Sequence, residues 1–431
     1  MRPGQVTLAL ARLAGTREAL LARSSSEIAE QVGRVGERFE DLDDPLVRDA
    51  LEAVGEESGF SAAMVRRIVR GMARDWSRTR LADLLAREFD DPAVLDRFVP
   101  DPRGGRLLRA VGVRVAVHIG SGSVPGVSTT SMIRSLLVKT PVLVKPGRGD
   151  RALTKAFWLG LEEEAPVLAG AADLVYWSGD EAAALDAAVR GASRVVAYGS
   201  DAATREVRAK TPVTTPIQIY HHRFSVAVLG PEAARSSERE AVSGLLARAA
   251  STFDQRGCVS PHRVYLLGVE PAAARELGEA LALAMAVEAR DAPPGPLDPA
   301  EAARLQQLRA ESRMRSALGP DVAVWSSPDA SWTVVLEPEP PESVTGHPRT
   351  LVLVPVADQA ALVDRLRPLG PHLQSVGLAG LPDPSRLVDE LAELGVTRVT
   401  SLRELPFPPA WWIHDGTGPL RALVRWVEWE P

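Results

Sequence analysis

The spacing of apolar and polar positions changes near residue 105. Before that point, apolar residues recur at helical spacing, and Ser24-Ser-Ser-Glu27 has the composition of a helix-capping box. Beyond it, short apolar runs alternate with helical patterns. The runs predict strands at Val113–Ile119, Pro141–Lys145, Asp173–Trp177, Arg194–Gly199 and Ile217–Leu229.

A second series of alternating elements begins near Gly230. Ser237-Glu-Arg-Glu240 predicts a capped helix, which leads past Cys258 into a strand at Arg263–Val269. Alternating strands and helices predict right-handed βαβ units and buried parallel sheets, hence an α/β fold. The predicted divisions are a helical region at 1–105, α/β domains at 106–229 and 230–402, and a C-terminal segment at 403–431.

Composition narrows the classes of partner. The 431 residues are 45% hydrophobic and 25% charged, with a formal charge of −6, so we expect neither nucleic acid nor an anionic membrane as partner. No segment approaches the roughly 18 uninterrupted apolar residues of a membrane span, so no membrane insertion is expected. The absence of a secretory signal pattern, together with a single cysteine, predicts a cytoplasmic location.

Cys258 is the only cysteine, so it cannot form an intramolecular disulfide, and one cysteine provides too few ligands for a cysteine-based metal site. It is either an inert core residue or a nucleophile. The flanking Asp254, Gln255 and Arg256 are unusual around an apolar packing position, and Gly257 leaves room for a substrate, so the nucleophile is favoured. No histidine pair has metal-ligand spacing with a carboxylate, and no metal site is predicted.

Two strand ends in the first α/β domain carry candidate nucleotide contacts. Lys145 closes an apolar strand, where it can donate to ribose hydroxyls; a surface lysine is the alternative. Gly199-Ser200 lies between a strand and a helix and suits a pyrophosphate, unless Gly199 only makes the turn and Ser200 only caps the helix. Gly120-Ser-Gly122 is a weak dinucleotide fingerprint.

Five segments of the sequence, taken in their order along the chain, resemble those of the aldehyde dehydrogenase superfamily, and most closely those of its LuxC-type fatty acyl-CoA reductases. The segments that carry the resemblance are His118-Ile-Gly-Ser-Gly-Ser-Val-Pro125, Val142-Leu-Val-Lys145-Pro, Val196-Ala-Tyr-Gly199-Ser200, Asp254-Gln-Arg-Gly-Cys258-Val-Ser-Pro261 and His414-Asp-Gly416 with Leu423–Glu428.

The resemblance implies an aldehyde-dehydrogenase-like fold, with a dinucleotide-binding domain at 106–229 and a catalytic domain at 230–402. The N-terminal helices would pack on the cofactor domain, and 403–431 would return to the active site or a subunit interface. Cys258 is implied as the nucleophile, and Lys145, Gly199 and Ser200 as dinucleotide contacts. NADPH is favoured over NADH because Lys145 and Arg148 suit a 2′-phosphate and because related reductases use it.

The implied reaction is reduction of an acyl thioester to an aldehyde through an acyl-cysteine, with acyl-CoA or an acylated carrier or partner protein as donor. Ile217–Ser225 lacks the glutamate with which hydrolytic relatives activate water, which favours a reductase. Ser123 replaces the asparagine that helps to bind the oxyanion in related enzymes.

Two alternative enzymes would keep the role of Cys258: a CoA-acylating aldehyde dehydrogenase and an enzyme like glutamyl-phosphate reductase. An alternative of another class is a non-catalytic acyl-holding subunit of a biosynthetic complex. Relatives also lead us to expect a homo-oligomer. Tryptophans could line an acyl tunnel, although core packing is the commoner role for this residue: Trp325, Trp332, Trp411 and Trp412.

Overall fold

Helices fill the chain before the first strand in a computed structural model that describes residues 2–179, 181–340 and 346–431. The predicted capping box is present: Ser24 Oγ accepts from the Glu27 N–H at 3.1 Å, and the Glu27 carboxylate accepts from the Ser24 N–H at 2.6 Å. The ring of Trp76 packs against those of Phe39 and Phe157 in the buried core. The helices are α1 (Pro3–Gly15), α2 (Arg17–Leu21), α3 (Ser25–Arg38), α4 (Pro45–Ser58), α5 (Ala62–Ala73) and α6 (Arg78–Glu88).

A parallel sheet follows, with the order β5-β4-β3-β6-β7 among the described residues. Its strands are short and almost wholly apolar, as expected for strands covered on both faces. The strands are β3 (Ala116–Ile119), β4 (Val142–Lys145), β5 (Ala172–Leu174), β6 (Arg194–Tyr198) and β7 (Ile217–Tyr220). The helices between them are α7 (Val127–Leu137), α8 (Arg151–Glu164), α9 (Pro166–Gly170), α10 (Ala182–Gly191) and α11 (Asp201–Lys210).

A small antiparallel sheet pairs two strands that precede the first parallel sheet with one strand near residue 431. Its order is β1-β2-β15, where β1 is Val99–Pro100, β2 is Leu107–Gly112 and β15 is Val424–Trp429. None of these strands is predicted from the sequence, because Arg109 interrupts the apolar run of β2, and Arg425 and Glu428 interrupt that of β15.

The second sheet has the order β10-β11-β12-β9-β8-β13-β14 among the described residues, and all pairs except β10–β11 are parallel. Helices α12 and α13 pack on one face and α15 and α16 on the other. The strands are β8 (Phe224–Leu229), β9 (Pro261–Leu267), β10 (Ala323–Ser326), β11 (Thr333–Leu336), β12 (Thr350–Val356), β13 (Leu373–Ala379) and β14 (Arg398–Ser401). The helices are α12 (Arg239–Ser251), α13 (Pro271–Asp291), α14 (Pro299–Leu318), α15 (Gln359–Leu366) and α16 (Ser385–Glu393).

The chain divides into two compact units. The first comprises the residues up to Ser58, Ile68–His222 and Pro409–Pro431, and the second comprises Gly59–Arg67 and Arg223–Pro408. The N-terminal helices, except the first half of α5, therefore belong to the unit that contains the first parallel sheet, as does the C-terminal segment from Pro409. No helix in the described part of the chain combines the length and apolarity needed to cross a membrane.

Two local predictions were wrong. The strand predicted at Ile217–Leu229 is two strands in different sheets, because the polar residues His221, His222 and Arg223 interrupt the apolar pattern. The division between the units therefore precedes β8, whereas the sequence placed it after residue 229. Ser237 is no helix cap: it lies in a turn closed by the Glu238 N–H, and α12 begins after Glu238 without a side-chain cap.

His118 on β3 is a buried histidine held in its neutral form. Its ring nitrogens hydrogen-bond the hydroxyls of Ser131 and Ser135 on α7. Burial lowers the pKa of His118 to about 3, and the positive charges of Arg134 and Arg194 act in the same direction.

We expect acid to destabilise the fold through His118. The folded protein binds fewer protons at His118 than the unfolded chain between pH 6.5 and 3, so the free energy of unfolding falls as pH falls through that range. In His118→Gln, a neutral amide replaces the ring, and the loss between pH 6.5 and 4.5 should be smaller by about 2 kcal/mol. Urea unfolding at both pH values measures the difference; equal losses would contradict a neutral buried His118.

Candidate active site

Cys258 lies in the short connection between α12 and β9, at the amino edge of the second sheet. Its side chain is partly exposed, so the sulfur is not sealed in the interior. The main-chain carbonyl of Cys258 accepts a hydrogen bond from Ser225 Oγ at 2.8 Å. The N–H of Val259, the next residue, donates to no group in the described ranges and is a candidate oxyanion donor.

The backbone before Cys258 adopts a left-handed conformation at three successive residues. Phe253, Asp254 and Gln255 have φ angles of 61°, 48° and 63°, and none of them is glycine. Such a conformation costs about 1–2 kcal/mol per residue with an L side chain. The surrounding structure must therefore hold this run in place.

The Asp254 side chain is one of the groups that hold it. Its Oδ1 accepts from Arg349 Nε at 2.9 Å and from Nη2 at 2.7 Å, and its Oδ2 accepts from the Gly295 N–H at 3.0 Å. Arg349 Nη2 also donates to the Ala292 carbonyl at 2.7 Å. The Asp254 and Arg349 side chains are 2% and 1% exposed, so this is a buried and hydrogen-bonded ion pair.

The Gln255 amide holds the same run from the neighbouring position. Its Nε2 donates to the carbonyls of Pro261 and Thr350, both at 2.7 Å, and its Oε1 accepts from the Thr350 N–H at 2.6 Å. Asp254 and Gln255, which are unusual neighbours for a packing position, thus fix the connection to the 292–295 loop and to β12.

Ser225, at the start of β8, anchors the Cys258 turn to the sheet. Its Oγ donates to the Cys258 carbonyl and accepts from the Ser375 N–H at 3.2 Å. The strand register shifts on both sides of this position, next to Ser225 on the β9 side and between Leu373 and Val376 on the β13 side. Such irregularities locally redirect side chains and are common beside active sites.

One positive charge that interacts with Cys258 belongs to Arg398, the first residue of β14. Burial lowers the pKa of Arg398 to about 10, and the negative charges of Glu404 and of a Cys258 thiolate oppose this shift. Arg256, two residues before Cys258, is a second arginine near the thiol in the sequence. Its guanidinium lies over the ring of Phe60, 4.6 Å from the centroid.

Lys145 and Gly199 lie at the carboxyl edge of the first sheet. Lys145 pairs with Ile119 of β3, and β6, which precedes Gly199, pairs with β3 on the opposite side. The ammonium group of the half-buried Lys145 has no hydrogen-bonding or ion-pair partner in the part of the chain that the structure describes. Burial lowers its pKa, and the nearby Arg151 adds to the effect. Its ammonium group is thus a donor available to a ligand.

The other two predicted cofactor residues, Arg148 and Ser200, have different surroundings. Arg148 is exposed and opens the short turn Arg148–Asp150. Ser200 caps α11, with its Oγ accepting from the Ala203 N–H at 3.3 Å. A Cβ at Gly199 would come no closer than 3.4 Å to another side chain, so space remains beside this glycine. The donor set of these residues fits a dinucleotide.

The first βα turn of the sheet is closed to a phosphate. Asp150 accepts from the N–H groups of Gly126 and Ser128 at 2.5 and 2.7 Å, and so caps α7. A Cβ at Gly122 would lie 2.9 Å from the N atoms of Arg148 and Gly149. Burial raises the pKa of Asp150 to about 7, although its hydrogen bonds oppose the shift. A carboxyl group thus occupies the place where a Rossmann fold binds pyrophosphate.

Ser123 and Cys258 belong to different units. Ser123 is exposed, with its Oγ 3.4 Å from Ser121 Oγ, and its predicted oxyanion role stays a prediction. The segment after β7 has no carboxylate of its own. Asp201, from α11, accepts from the His222 N–H at 3.2 Å and lies 3.6 Å from the His221 ring nitrogen.

Comparison with known proteins identifies the family. The sequence model described as acyl-CoA reductase (LuxC) matches residues 22–426. The chain belongs to the LuxC family. A long-chain acyl-protein thioester reductase of Aliivibrio fischeri is 24% identical over 419 residues, which cover 94% of this chain and 82% of that protein. A protein of the same name from Photobacterium phosphoreum is 24% identical over 360 residues, covering 82% and 70%.

Solved structures show that the fold of this LuxC-family chain is that of the aldehyde dehydrogenases. A NAD-dependent benzaldehyde dehydrogenase from Corynebacterium glutamicum superimposes with a TM-score of 0.75 at 16% identity, covering 99% of this chain and 90% of that one. An NADP-dependent glyceraldehyde-3-phosphate dehydrogenase from Bacillus halodurans C-125 gives 0.75 at 14% identity, covering 99% and 91%. The predicted family and fold are confirmed.

The tryptophans of this LuxC-family chain have several surroundings. Trp325 packs in the core, where a Cβ at Gly278 would lie 2.5 Å from its ring. Trp411 lies beneath the guanidinium groups of Arg80 and Arg87, at 4.4 and 4.3 Å from the ring centroid. Trp412 stacks on His414 with centroids 4.2 Å apart.

We expect Asp254→Asn to destabilise the protein, because it leaves the Arg349 charge buried without its counter-ion. The free energy of unfolding should fall by about 3–5 kcal/mol. Urea unfolding measures the loss. The control is Asp364→Asn, whose side chain is 78% exposed, and its stability should match that of the unchanged protein. Equal stabilities of the two variants would show that the pair does not hold the loop.

Proposed function

We propose that this chain reduces a long-chain acyl thioester to the aldehyde, with Cys258 carrying the acyl group between the two half-reactions. The partly exposed sulfur on a strained and tightly held turn is the observation that carries the proposal. An inert core cysteine needs no such backbone. Membership of the LuxC family and the names of the two bacterial relatives support the same reaction.

In the first half-reaction the Cys258 thiolate attacks the thioester carbonyl carbon. A carbon–sulfur bond forms to Cys258, the bond to the donor's sulfur breaks, and the departing thiolate takes up a proton from solvent. The Val259 N–H is the proposed donor to the oxygen that becomes negative during attack. Donors of this kind contribute about 3–4 kcal/mol each to such steps. The Cys258 thiolate leaves again when the aldehyde is released.

The cofactor proposed is NADPH, with NADH as the alternative. Lys145 and the space beside Gly199 would hold its ribose and pyrophosphate, aided by the amino end of α11 behind Ser200. Arg148, exposed and without a described partner, suits the 2′-phosphate. A bound cofactor supplies the hydride that converts the acyl group to an aldehyde.

The acyl donor is proposed to be an acylated protein or acyl-CoA. The relatives are named for acyl-protein thioesters and the family for acyl-CoA, so both donors belong in the test. Self-association and a cytoplasmic location remain predictions.

Cys258→Ala should abolish the reaction, because it removes the sulfur that is proposed to carry the acyl group. We expect the unchanged protein to gain the mass of one acyl chain on incubation with long-chain acyl-CoA. It should also oxidise NADPH, followed at 340 nm, while the variant does neither.

The same experiment separates the rival functions. Acylation without NADPH or NADH oxidation would favour an acyl-holding subunit over a reductase. Reduction at an unchanged rate in Cys258→Ala would end the proposal. The matched control is Ser237→Ala at an exposed turn position, which retains the thiol and should be acylated like the unchanged protein.

Arg148→Gln should affect the use of NADPH and of NADH differently. Loss of a guanidinium that binds the 2′-phosphate should raise the KM for NADPH about tenfold and leave the KM for NADH unchanged. Lys145→Met, which removes a proposed ribose contact, should raise both. Initial rates with each cofactor measure the effect, and equal changes for NADPH and NADH in Arg148→Gln would exclude a 2′-phosphate role.

A further inference from the structure

We propose that Arg398 is a positioning residue that keeps the Cys258 sulfur in its reactive, negatively charged form. This inference rests on the proposed function, in which that sulfur is the nucleophile. The family resemblance did not point to Arg398, and the residue lies far from Cys258 in the sequence.

A continuous series of contacts connects the two residues across the second sheet. Ser225 Oγ donates to the Cys258 carbonyl, and the Ser375 N–H donates to Ser225 Oγ. Ser375 is in turn the register partner of Arg398 on the adjacent strand. All of these residues lie at the amino ends of β8, β13 and β14, the edge where the Cys258 turn sits.

The Arg398 guanidinium is fixed in place by the chain that follows it. Its Nη1 donates to the Leu405 carbonyl at 3.1 Å, and its Nη2 donates to the Glu404 carbonyl at 2.6 Å. These acceptors are neutral, so no buried carboxylate in either bond cancels the positive charge. The segment after β14 also contacts the turn before Cys258, because the rings of Phe407 and Phe253 lie 5.2 Å apart. Beside a partly exposed sulfur, a cation favours the thiolate over the thiol.

The electrostatics of the pair agree with this geometry. Burial is the main influence on the Arg398 pKa and lowers it, while the negative charges of Glu404 and of a Cys258 thiolate raise it. The attraction is mutual, because the charge that stabilises the guanidinium is itself stabilised by it.

Other charged or titratable side chains belong to the elements around the turn. They are Arg223 before β8, Asp254 and Arg256 before Cys258, His262 and Arg263 on β9, His372 before β13, and Arg403 and Glu404 after β14. Asp254 is paired with Arg349, and the Arg256 guanidinium lies over Phe60. The Glu404 side chain is exposed and opposes the effect of Arg398.

The test is the pH dependence of Cys258 alkylation by iodoacetamide, with the site of modification confirmed by mass spectrometry. In the unchanged protein the thiol should titrate below 8.5, the value of a free cysteine. Arg398→Gln should raise the apparent pKa by about one unit, as expected for loss of a nearby opposite charge. At pH 7 the alkylation rate should then fall several-fold.

Two further variants separate charge from structure. Arg403→Gln removes the same charge from an exposed position nearby and should leave the profile unchanged. Arg398→Lys keeps the charge and should stay within a few tenths of a unit of the unchanged protein. Equal shifts in Arg398→Lys and Arg398→Gln would overturn the proposal in favour of a purely structural role, and so would identical profiles in Arg398→Gln and Arg403→Gln.

Titration of the thiol in the unchanged protein is a further test, and it does not depend on whether any variant folds. A thiol that titrates at or above 8.5 would overturn the proposal by itself. Alkylation requires neither acyl donor nor cofactor, so its outcome is independent of the reductase assay. A shifted profile in a protein that is never acylated would leave the Arg398 inference standing and end the proposed function.

Discussion

The buried ion pair between Asp254 and Arg349 is the interaction on which the placement of the thiol depends. Three left-handed residues in succession are unfavourable for any L sequence, and a buried charge pair is itself stable only when its remaining hydrogen-bonding groups are satisfied. The Gly295 N–H and the Ala292 carbonyl meet that need. The turn that carries Cys258 is consequently tied to two segments that lie far from it in sequence, the 292–295 loop and the start of β12.

The two parallel sheets carry their candidate chemistry at opposite edges. Lys145 and Gly199 follow the general rule for open α/β sheets, in which ligands bind at the carboxyl ends of strands. Cys258 lies instead at an amino edge, where the Val259 N–H has no partner among the described residues. There the strand register is irregular around Ser225, and the Ser225 hydroxyl anchors the turn. An irregular edge suits a nucleophile because it is open to solvent while the strands behind it remain rigid.

The sequence was sufficient for features that depend on local patterns and insufficient for those that depend on distant partners. The strands of the first parallel sheet, β9 and the Ser24 cap followed from periodicity and from capping residues. The split of Ile217–Leu229 was missed because strand propensity is continuous on both sides of His221–Arg223, and only the pairing partners distinguish β7 from β8. Nothing local to Arg349 or Arg398 indicates that these arginines reach the Cys258 connection.

Reduction through an acyl-cysteine also requires that water does not take the acyl group first. The segment after β7 offers no carboxylate of its own, and Asp201, the carboxylate beside it, accepts from the His222 N–H and lies against the His221 ring. Hydrolysis needs a base that removes a proton from water as it attacks, whereas hydride transfer needs none. Under the proposed function, the lack of a carboxylate in this segment would slow hydrolysis selectively, so the acyl-enzyme would have time to become an aldehyde. The direction of the chemistry then depends less on the nucleophile, which both kinds of enzyme share, than on which groups are placed to activate water.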